Sequence, residues 1–235
     1  MSISLVNVAK YYQGLTQQDE ALAYLESELR RTNPELLEMN SDFATIWRNP
    51  GGQTVASAVS SKPGLPSQVN LPVPYLSQLD NVYKPKGTSS LTSMAMCMAF
   101  FGRPTLNRGQ QLEDELFQYC QQNNLMRQSP QDLAKLMRAY GYEDTFDPKA
   151  SWGAVKEWLA AGNPVVTHGW FTKSGHIVVI CGYTSDGWIV NDPRGQWFEW
   201  GYDTAVSGEG LEYSCGMMQH VCGTDGDLWI HFLSR

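Results

Sequence analysis

The chain has 235 residues, a net charge of −7, 42% hydrophobic residues and 17% charged residues. This length suits one domain of ordinary size plus a smaller module, and the apolar content excludes a chain that is disordered throughout. The negative charge, without any stripe rich in Lys and Arg, argues against nucleic acid or an anionic membrane surface as the partner.

The beginning of the sequence, MSISLVNVAKYYQGL, has neither the cationic start nor the continuous apolar run of a signal peptide. No run reaches the roughly 18 apolar residues that span a bilayer. We therefore expect a monomer made in the cytoplasm without an integral membrane segment, which would act at a cell wall only after release by another route.

Residues 1–48 are predicted to form a small helical module, because apolar residues recur there at helical spacing (Leu5, Val8, Ala9, Tyr12). Asn33 followed by Pro34 is typical of a further helix start. Residues 49–70 are dominated by Gly, Pro, Ser and Gln without an apolar period, which predicts a linker.

From residue 71 to residue 235 the composition is that of a compact domain. Helices are predicted over roughly 89–101, around Leu112 to Cys120, and in two segments with a Ser cap and a Gly terminator, SPQDLAKLMRAYG and SWGAVKEWLAAG. Strands are predicted for the later runs NPVVTHGWFT, GHIVVICGY, GWIVNDPRG, QWFEWGY and GDLWIHFL, with a hairpin turn at 185–187. Helices followed by an antiparallel sheet indicate an α+β domain.

Five cysteines, at 97, 120, 181, 215 and 222, are an odd number without framework spacing, so we expect free thiols in the core. Cys215, His220 and Cys222 lie close in sequence but have no fourth partner for a closed zinc site. We therefore expect neither a metal nor an organic cofactor.

Four residues could together carry out chemistry on a carbonyl group. Ser89 opens a helix whose N-terminus stabilises an anion, His176 could act as the base, and Asp192 could orient the imidazole. Gln78 could donate an amide N–H to an oxyanion together with the backbone N–H of residue 89.

The same segments resemble the C39-like cysteine peptidase family. The likeness lies in VPYLSQLDNVYKPKGTSSLTSMAMCMAFFG, GNPVVTHGWFTKSGHIVVICGY and GWIVNDPRG. It implies a papain-like fold, hydrolysis of peptide bonds without a cofactor, and roles for Gln78, His176 and Asp192 as oxyanion donor, base and orienting acid. Ser89 stands where the family pattern has its nucleophilic Cys.

Cys97 cannot replace that nucleophile, because eight residues along a helix correspond to about 12 Å of axial rise. A serine hydroxyl ionises far less readily than a thiol, so we expect little or no activity from a site built around a thiolate. The hypothesis is a deliberate Cys→Ser replacement, and a naturally inactive homologue is the competing explanation.

Each residue also has an ordinary interpretation. Ser89 alone would be a helix N-cap, His176 a core histidine beside a strand, and Asp192 a turn residue before Pro193. Simple hairpin pairing through 185–187 places Asp192 several positions from His176. His168, His220 and His231 are expected in the core or at the surface, although His168 could also line the cleft. The Trp cluster is expected in sheet packing, and one or two of its members could wall the groove (Trp170, Trp188, Trp197, Trp200).

The N-terminal stretch VAKYYQGLTQQDEALAYLE loosely resembles modules that precede lytic domains in cyanobacterial and cyanophage cell-wall hydrolases. This resemblance implies a peptidoglycan endopeptidase similar to an endolysin. The alternatives are a soluble peptidase that processes leader peptides and a catalytically dead binder of a peptide or wall fragment.

Overall fold

The computed structural model describes residues 64–103 and 109–235. The predicted helical module at 1–48 and most of the predicted linker lie outside these residues. The described residues belong to one compact unit, Pro63–Arg235.

Five α-helices occur in the described part of the chain, numbered here in chain order: α1 Ser89–Phe100, α2 Leu112–Gln122, α3 Pro130–Ala139, α4 Trp152–Ala160 and α5 Cys215–Cys222. A short 3-10 helix, Gln78–Asp80, precedes α1. None of the described helices is long and apolar enough to cross a membrane.

The strands are β1 Val69–Asn70, β2 Glu143–Asp147, β3 Val165–Gly169, β4 His176–Tyr183, β5 Gly187–Asn191, β6 Gln196–Phe198, β7 Gly201–Asp203, β8 Leu211–Ser214 and β9 Ile230–Ser234. Six of them form a sheet in the order β2-β9-β3-β4-β5-β8, and β1 adds to β4 as its seventh strand. All pairs are antiparallel, and β6 pairs with β7 in a separate small sheet. The predicted α+β class is confirmed.

Side-chain caps explain where three helices begin. Ser129 Oγ accepts a hydrogen bond from Asp132 N at 3.3 Å, and Ser151 Oγ accepts one from Ala154 N at 3.1 Å. Both helices were predicted from these residues. Helix α5 begins in the same way, at Ser214, whose Oγ accepts from Met217 N at 3.2 Å, but it was not predicted.

Helix α1 and strand β4 form the centre of the domain and pack against each other. Every residue of α1 from Ser90 to Met98 is buried, as is every residue of β4. A helix enclosed on all sides is held by packing more than by a single apolar stripe. The residues at its two ends therefore have little freedom to move.

Two predictions for this domain need correction. The run QWFEWGY forms two short strands, β6 and β7, because the chain turns at Glu199 and Trp200, and the following Gly201 has a φ of +136°, which suits glycine. The thiols are free as expected, but Cys215 at the start of α5 is exposed to solvent, whereas the other four cysteines are buried.

Candidate active site

His176 and Asp192 form a buried hydrogen-bonded pair. The Nε2 atom of His176 lies 2.8 Å from Oδ1 of Asp192, and the two side chains are 3% and 0% exposed. The carboxylate oxygen accepts this bond, so Nε2 carries the proton. The other ring nitrogen, Nδ1, has no hydrogen-bond partner in the described part of the chain.

The strand register explains how these two residues meet. Val179 pairs with Asn191, and a bulge at Cys181 shifts the register nearer the turn. Extending the pairing by one residue places Asp192 opposite Val178, two residues from His176 and therefore on the same face. His176 and Asp192 are thus diagonal neighbours across the pair of strands, a separation that an imidazole can bridge.

The second carboxylate oxygen of Asp192 is also occupied. Oδ2 accepts hydrogen bonds from the hydroxyls of Tyr202 at 3.1 Å and Tyr213 at 3.2 Å, while Oδ1 accepts a further bond from Arg194 N at 3.0 Å. Burial, reinforced by the charge of Asp192, raises the pKa of both tyrosines above its ordinary value, so both remain donors. These bonds stabilise the carboxylate in its charged form.

Ser89 is the first residue of α1, and the residue that caps this helix is Thr88. The N-cap interpretation of Ser89 is therefore wrong. Its hydroxyl, which is half-buried, accepts and donates no hydrogen bond within residues 64–103 and 109–235. One turn further along α1, Ser93 Oγ donates to the carbonyl oxygen of Ile177 at 3.1 Å. This bond joins the helix that begins at Ser89 to the strand that begins at His176.

Ser89 and His176 line one pocket of about 420 Å³. One wall is formed by the loop before α1, the start of α1 and the connection between α2 and α3, and it carries Lys86 and Arg127. A second wall is formed by the end of β3, the start of β4 and the loop before β9, and it carries Asp225 and Asp227. Arg194, which follows β5, adds a third cation to the lining, so the pocket carries charges of both signs.

Gln78 lies close to the pair His176–Asp192 but is not among the residues that line the pocket. It is 1% exposed, its backbone N–H donates to Pro193 O at 2.8 Å, and its Nε2 donates to Pro85 O at 2.7 Å. Its Oε1 is buried without a partner in the described residues. One N–H of the amide is thus engaged with the loop that leads into α1, and the second is left over.

Two other histidines have partners that the sequence did not reveal. His168, in β3, lines the same pocket, and its Nε2 lies 3.0 Å from Nε2 of His231 in β9. Nδ1 of His231 is in turn 2.9 Å from Oδ2 of Asp144 in β2. His231 lies in the core, as expected, and His168 lines the pocket. Their contacts with each other and with Asp144 were not predicted, because β2, β9 and β3 are neighbours only in the folded sheet.

The remaining candidates differ in their surroundings. Trp188 packs inside the domain against Trp152, as expected for sheet packing, whereas Trp170 is 58% exposed and lines the pocket. His220 is exposed, near the C-terminal end of α5. No group of three His, Cys, Asp or Glu side chains in the described part of the chain is arranged to hold a metal ion.

Comparisons with known proteins identify a family for this chain. The sequence profile of the Peptidase_C39 like family matches residues 70–213, a segment that contains Gln78, Ser89, His176 and Asp192. A candidate C39-like peptidase from Bacillus anthracis, known from a crystal structure, is 16% identical, with a TM-score of 0.49 over 72% of this chain and 99% of that one. No curated protein matches the sequence.

Proposed function

Because the chain belongs to the Peptidase_C39 like family, we propose that its pocket is a peptidase active site of the papain-like cysteine type, with Ser89 in the place of the nucleophile. The observation that carries this proposal is the buried pair His176–Asp192 at 2.8 Å, whose histidine lines the same pocket as Ser89. An oriented base beside a residue at a helix N-terminus is the arrangement that nucleophilic catalysis needs.

With a cysteine at position 89, the thiol would transfer its proton to Nδ1 of His176, the ring nitrogen that has no other partner among the described residues. The helix N-terminus and the imidazolium would both stabilise the thiolate. Asp192 holds Nε2, fixes the ring orientation and stabilises its positive charge. The aromatic rings of Phe171 and Tyr202, 5.8 and 5.3 Å from the imidazole, restrict its rotation.

The reaction then proceeds in two steps. The thiolate forms a bond to the carbonyl carbon of the scissile peptide, and His176 gives its proton to the amide nitrogen as the C–N bond breaks. Water, deprotonated by His176, attacks the thioester and releases the carboxylic acid. The oxyanion would be bound by the backbone N–H of residue 89 and by the remaining amide N–H of Gln78.

Ser89 makes the chain itself inactive or nearly so, because the hydroxyl has too high a pKa to form an ion pair with imidazole. The preserved hydrogen bonds around His176 and Asp192 favour a Cys→Ser change in an otherwise intact peptidase. For the substrate, we propose the peptide cross-links of peptidoglycan, on the strength of the resemblance of the N-terminal stretch to cell-wall hydrolases. A leader-peptide processing enzyme is the alternative within the same chemistry.

Ser89 itself favours a second candidate function, a catalytically dead domain that binds a peptide or a wall fragment. Two assays separate the candidates: clearing of a peptidoglycan suspension and cleavage of casein, each with Ser89→Cys beside the unchanged chain. We expect Ser89→Cys to clear the suspension while the unchanged chain does not. Cleavage of casein alone would indicate a general peptidase, and failure in both assays would leave the binding domain as the function.

A further inference from the structure

A second series of hydrogen-bonded polar side chains reaches the pocket across the strands β2, β9 and β3. These strands lie on one side of β4, and Asp192 follows β5 on the other side. Asp144, His231 and His168 lie on the neighbouring strands β2, β9 and β3. Both carboxylate oxygens of Asp144 contact His231 Nδ1, at 2.9 and 3.0 Å, and the Nε2 atoms of the two histidines are 3.0 Å apart. Asp144 is 3% exposed and His231 is 0% exposed.

The hydrogen bonds along this series determine which ring nitrogen of His168 carries the proton. The carboxylate of Asp144 only accepts, so His231 Nδ1 carries a proton. When His231 is neutral, its Nε2 is an acceptor and His168 Nε2 donates to it. A neutral ring protonated at Nε2 has a lone pair at Nδ1. That atom of His168 has no hydrogen-bond partner within the described ranges, and its ring lines the pocket.

Burial, and the proximity of His231 in addition, lowers the pKa of His168 to about 3. The ring therefore stays neutral over the range in which an exposed histidine takes up a proton. Its ring is also packed between aromatic neighbours, with centroid distances of 6.1 Å to Phe146 and 5.7 Å to Trp229. These contacts hold the ring of His168 in place.

The surroundings of this acceptor are anionic and aromatic. Asp225 and Asp227 line the same wall of the pocket, and the nearest cation to Asp227 is the exposed Lys149, 4.0 Å away. Trp170 and Trp229, 58% and 38% exposed, line this wall as well. A lone pair, carboxylates and aromatic faces together favour a group that donates hydrogen bonds and carries positive charge.

We propose that this wall is a subsite for a primary ammonium group of the substrate, with Nδ1 of His168 as acceptor, Asp225 and Asp227 as the counter-charge, and His231 and Asp144 as positioning residues. The inference rests on the proposed function, because it takes the pocket to be a peptide-binding cleft. The cations Lys86 and Arg127 on the other wall would repel the ammonium group and so set the direction in which a peptide enters. The ammonium group belongs either to a lysine-like side chain or to a free N-terminus.

Equilibrium binding to the chain as it stands tests the subsite, because Ser89 prevents turnover. The first probe is an N-acetylated, C-amidated pentapeptide of alanine with a central lysine, compared with the same peptide carrying Nε-acetyl-lysine. The second is penta-alanine amide with a free or an acetylated N-terminus. We expect at least one ammonium form to bind ten-fold or more tightly than its acetylated partner, and the responding pair identifies the source.

The matched variant is His168→Gln, whose amide nitrogen can take the place of Nε2 opposite His231 but leaves no acceptor at the position of Nδ1. It should lose the preference for the ammonium form while binding the acetylated peptide as before. Equal affinity for both forms of both peptides, a preference that survives in His168→Gln, or no binding at all would overturn the proposal. Hydrolysis by Ser89→Cys is measured separately, so the proposed function stands or falls on its own result.

Nitrogen-15 NMR of the unchanged chain at pH 8 tests the same proposal without any substitution. We expect the ring of His168 at this pH to be protonated at Nε2 and unprotonated at Nδ1. A proton on Nδ1 at pH 8, which would turn the acceptor into a donor, would overturn the inference.

Discussion

The side chain of Ser93 and the backbone of Ile177 hold the two halves of the proposed active site together, through a hydrogen bond of 3.1 Å from Oγ to the carbonyl oxygen. Ser93 lies one turn after Ser89 on α1, and Ile177 follows His176 on β4. Both α1 and β4 are enclosed by the core. The geometry between Ser89 and His176 is therefore set by the packing of one helix on one strand.

Removing this bond should disturb the site more than the fold. In a Ser89→Cys background, Ser93→Ala should cost about 1 kcal/mol of unfolding free energy, because one hydrogen bond is lost and Ile177 O is left unpaired. The rate at which the introduced thiol reacts with iodoacetamide at pH 6 should also fall. Ser151→Ala, which removes the cap of α4 far along the chain, should cost a similar free energy. If it slows alkylation equally, the bond has no special role.

Asp192→Asn should leave the fold largely intact but remove the negative charge that stabilises the imidazolium. In Ser89→Cys, we expect kcat for peptide hydrolysis to fall by about 10²- to 10⁴-fold, as loss of an orienting carboxylate does in catalytic triads. The control is Tyr202→Phe, which removes one donor to Oδ2 and keeps the carboxylate. If Tyr202→Phe lowers kcat as much as Asp192→Asn does, the loss reflects a disturbed structure, and the proposed role of the negative charge is wrong.

Glu113 should make the stability of the protein depend on pH. It lies in the first turn of α2, 2% exposed, and burial, with the charges of Asp80 and Asp114, raises its pKa to about 7. The unfolded chain releases this proton near pH 4.5, so the folded state holds one proton more between about pH 4.5 and 7. This group therefore lowers the free energy of unfolding as pH rises through that window, with no further change above it.

Glu113→Gln should remove that pH dependence, which changes the free energy of unfolding by about 3 kcal/mol at most. Urea unfolding at pH 5 and pH 8 measures it, with Glu143→Gln, an exposed residue of β2, as the control. The gain in stability of Glu113→Gln over the unchanged chain should be larger at pH 8 than at pH 5. An equal gain at both values would show that Glu113 does not titrate in this range.

The thiols should divide into one accessible group and four inaccessible ones. Cys215 is the exposed cysteine, and burial of its sulfur still raises the pKa of its thiol, so its reaction with Ellman's reagent at pH 8 should be slow. Burial raises the pKa of the Cys222 thiol to about 12, and Cys97 is 0% exposed. We expect one thiol per chain to react in the folded state and five in urea. Two or more fast thiols would contradict the core described here.

The sequence predicted four of the five described helices and the strands β3, β4, β5 and β9 because each has a local cause, whereas β2, β8 and the order of the strands in the sheet were not predicted. Ser129, Pro130 and Gly141 mark α3 at its ends, and the β-branched run of β4 cannot be confused with a loop. Helix α5 was not predicted. Ser214 caps it, but Gly216, Val221 and two cysteines give the segment a low intrinsic helix propensity, so the cap is its main local signal.

The site was predicted less completely, because its geometry depends on strand register and on long-range strand pairing, which no local sequence pattern indicates. The bulge at Cys181 moves the register between β4 and β5, and this shift brings Asp192 diagonal to His176 where simple hairpin pairing keeps them apart. His168 and His231 lie 63 positions apart in the chain, and only the insertion of β9 between β2 and β3 joins them to Asp144. Long-range pairing of this kind has no local signature.

The central claim is that position 89 faces an oriented imidazole in a site for a thiolate. The pH dependence of alkylation by iodoacetamide tests it without any knowledge of the substrate, in Ser89→Cys combined with Cys215→Ser to remove the exposed thiol. We predict that the introduced thiol reacts rapidly down to about pH 5, and that His176→Ala moves the midpoint toward about 8.5, the value of an ordinary thiol. A midpoint near that ordinary value with His176 still present would contradict the account.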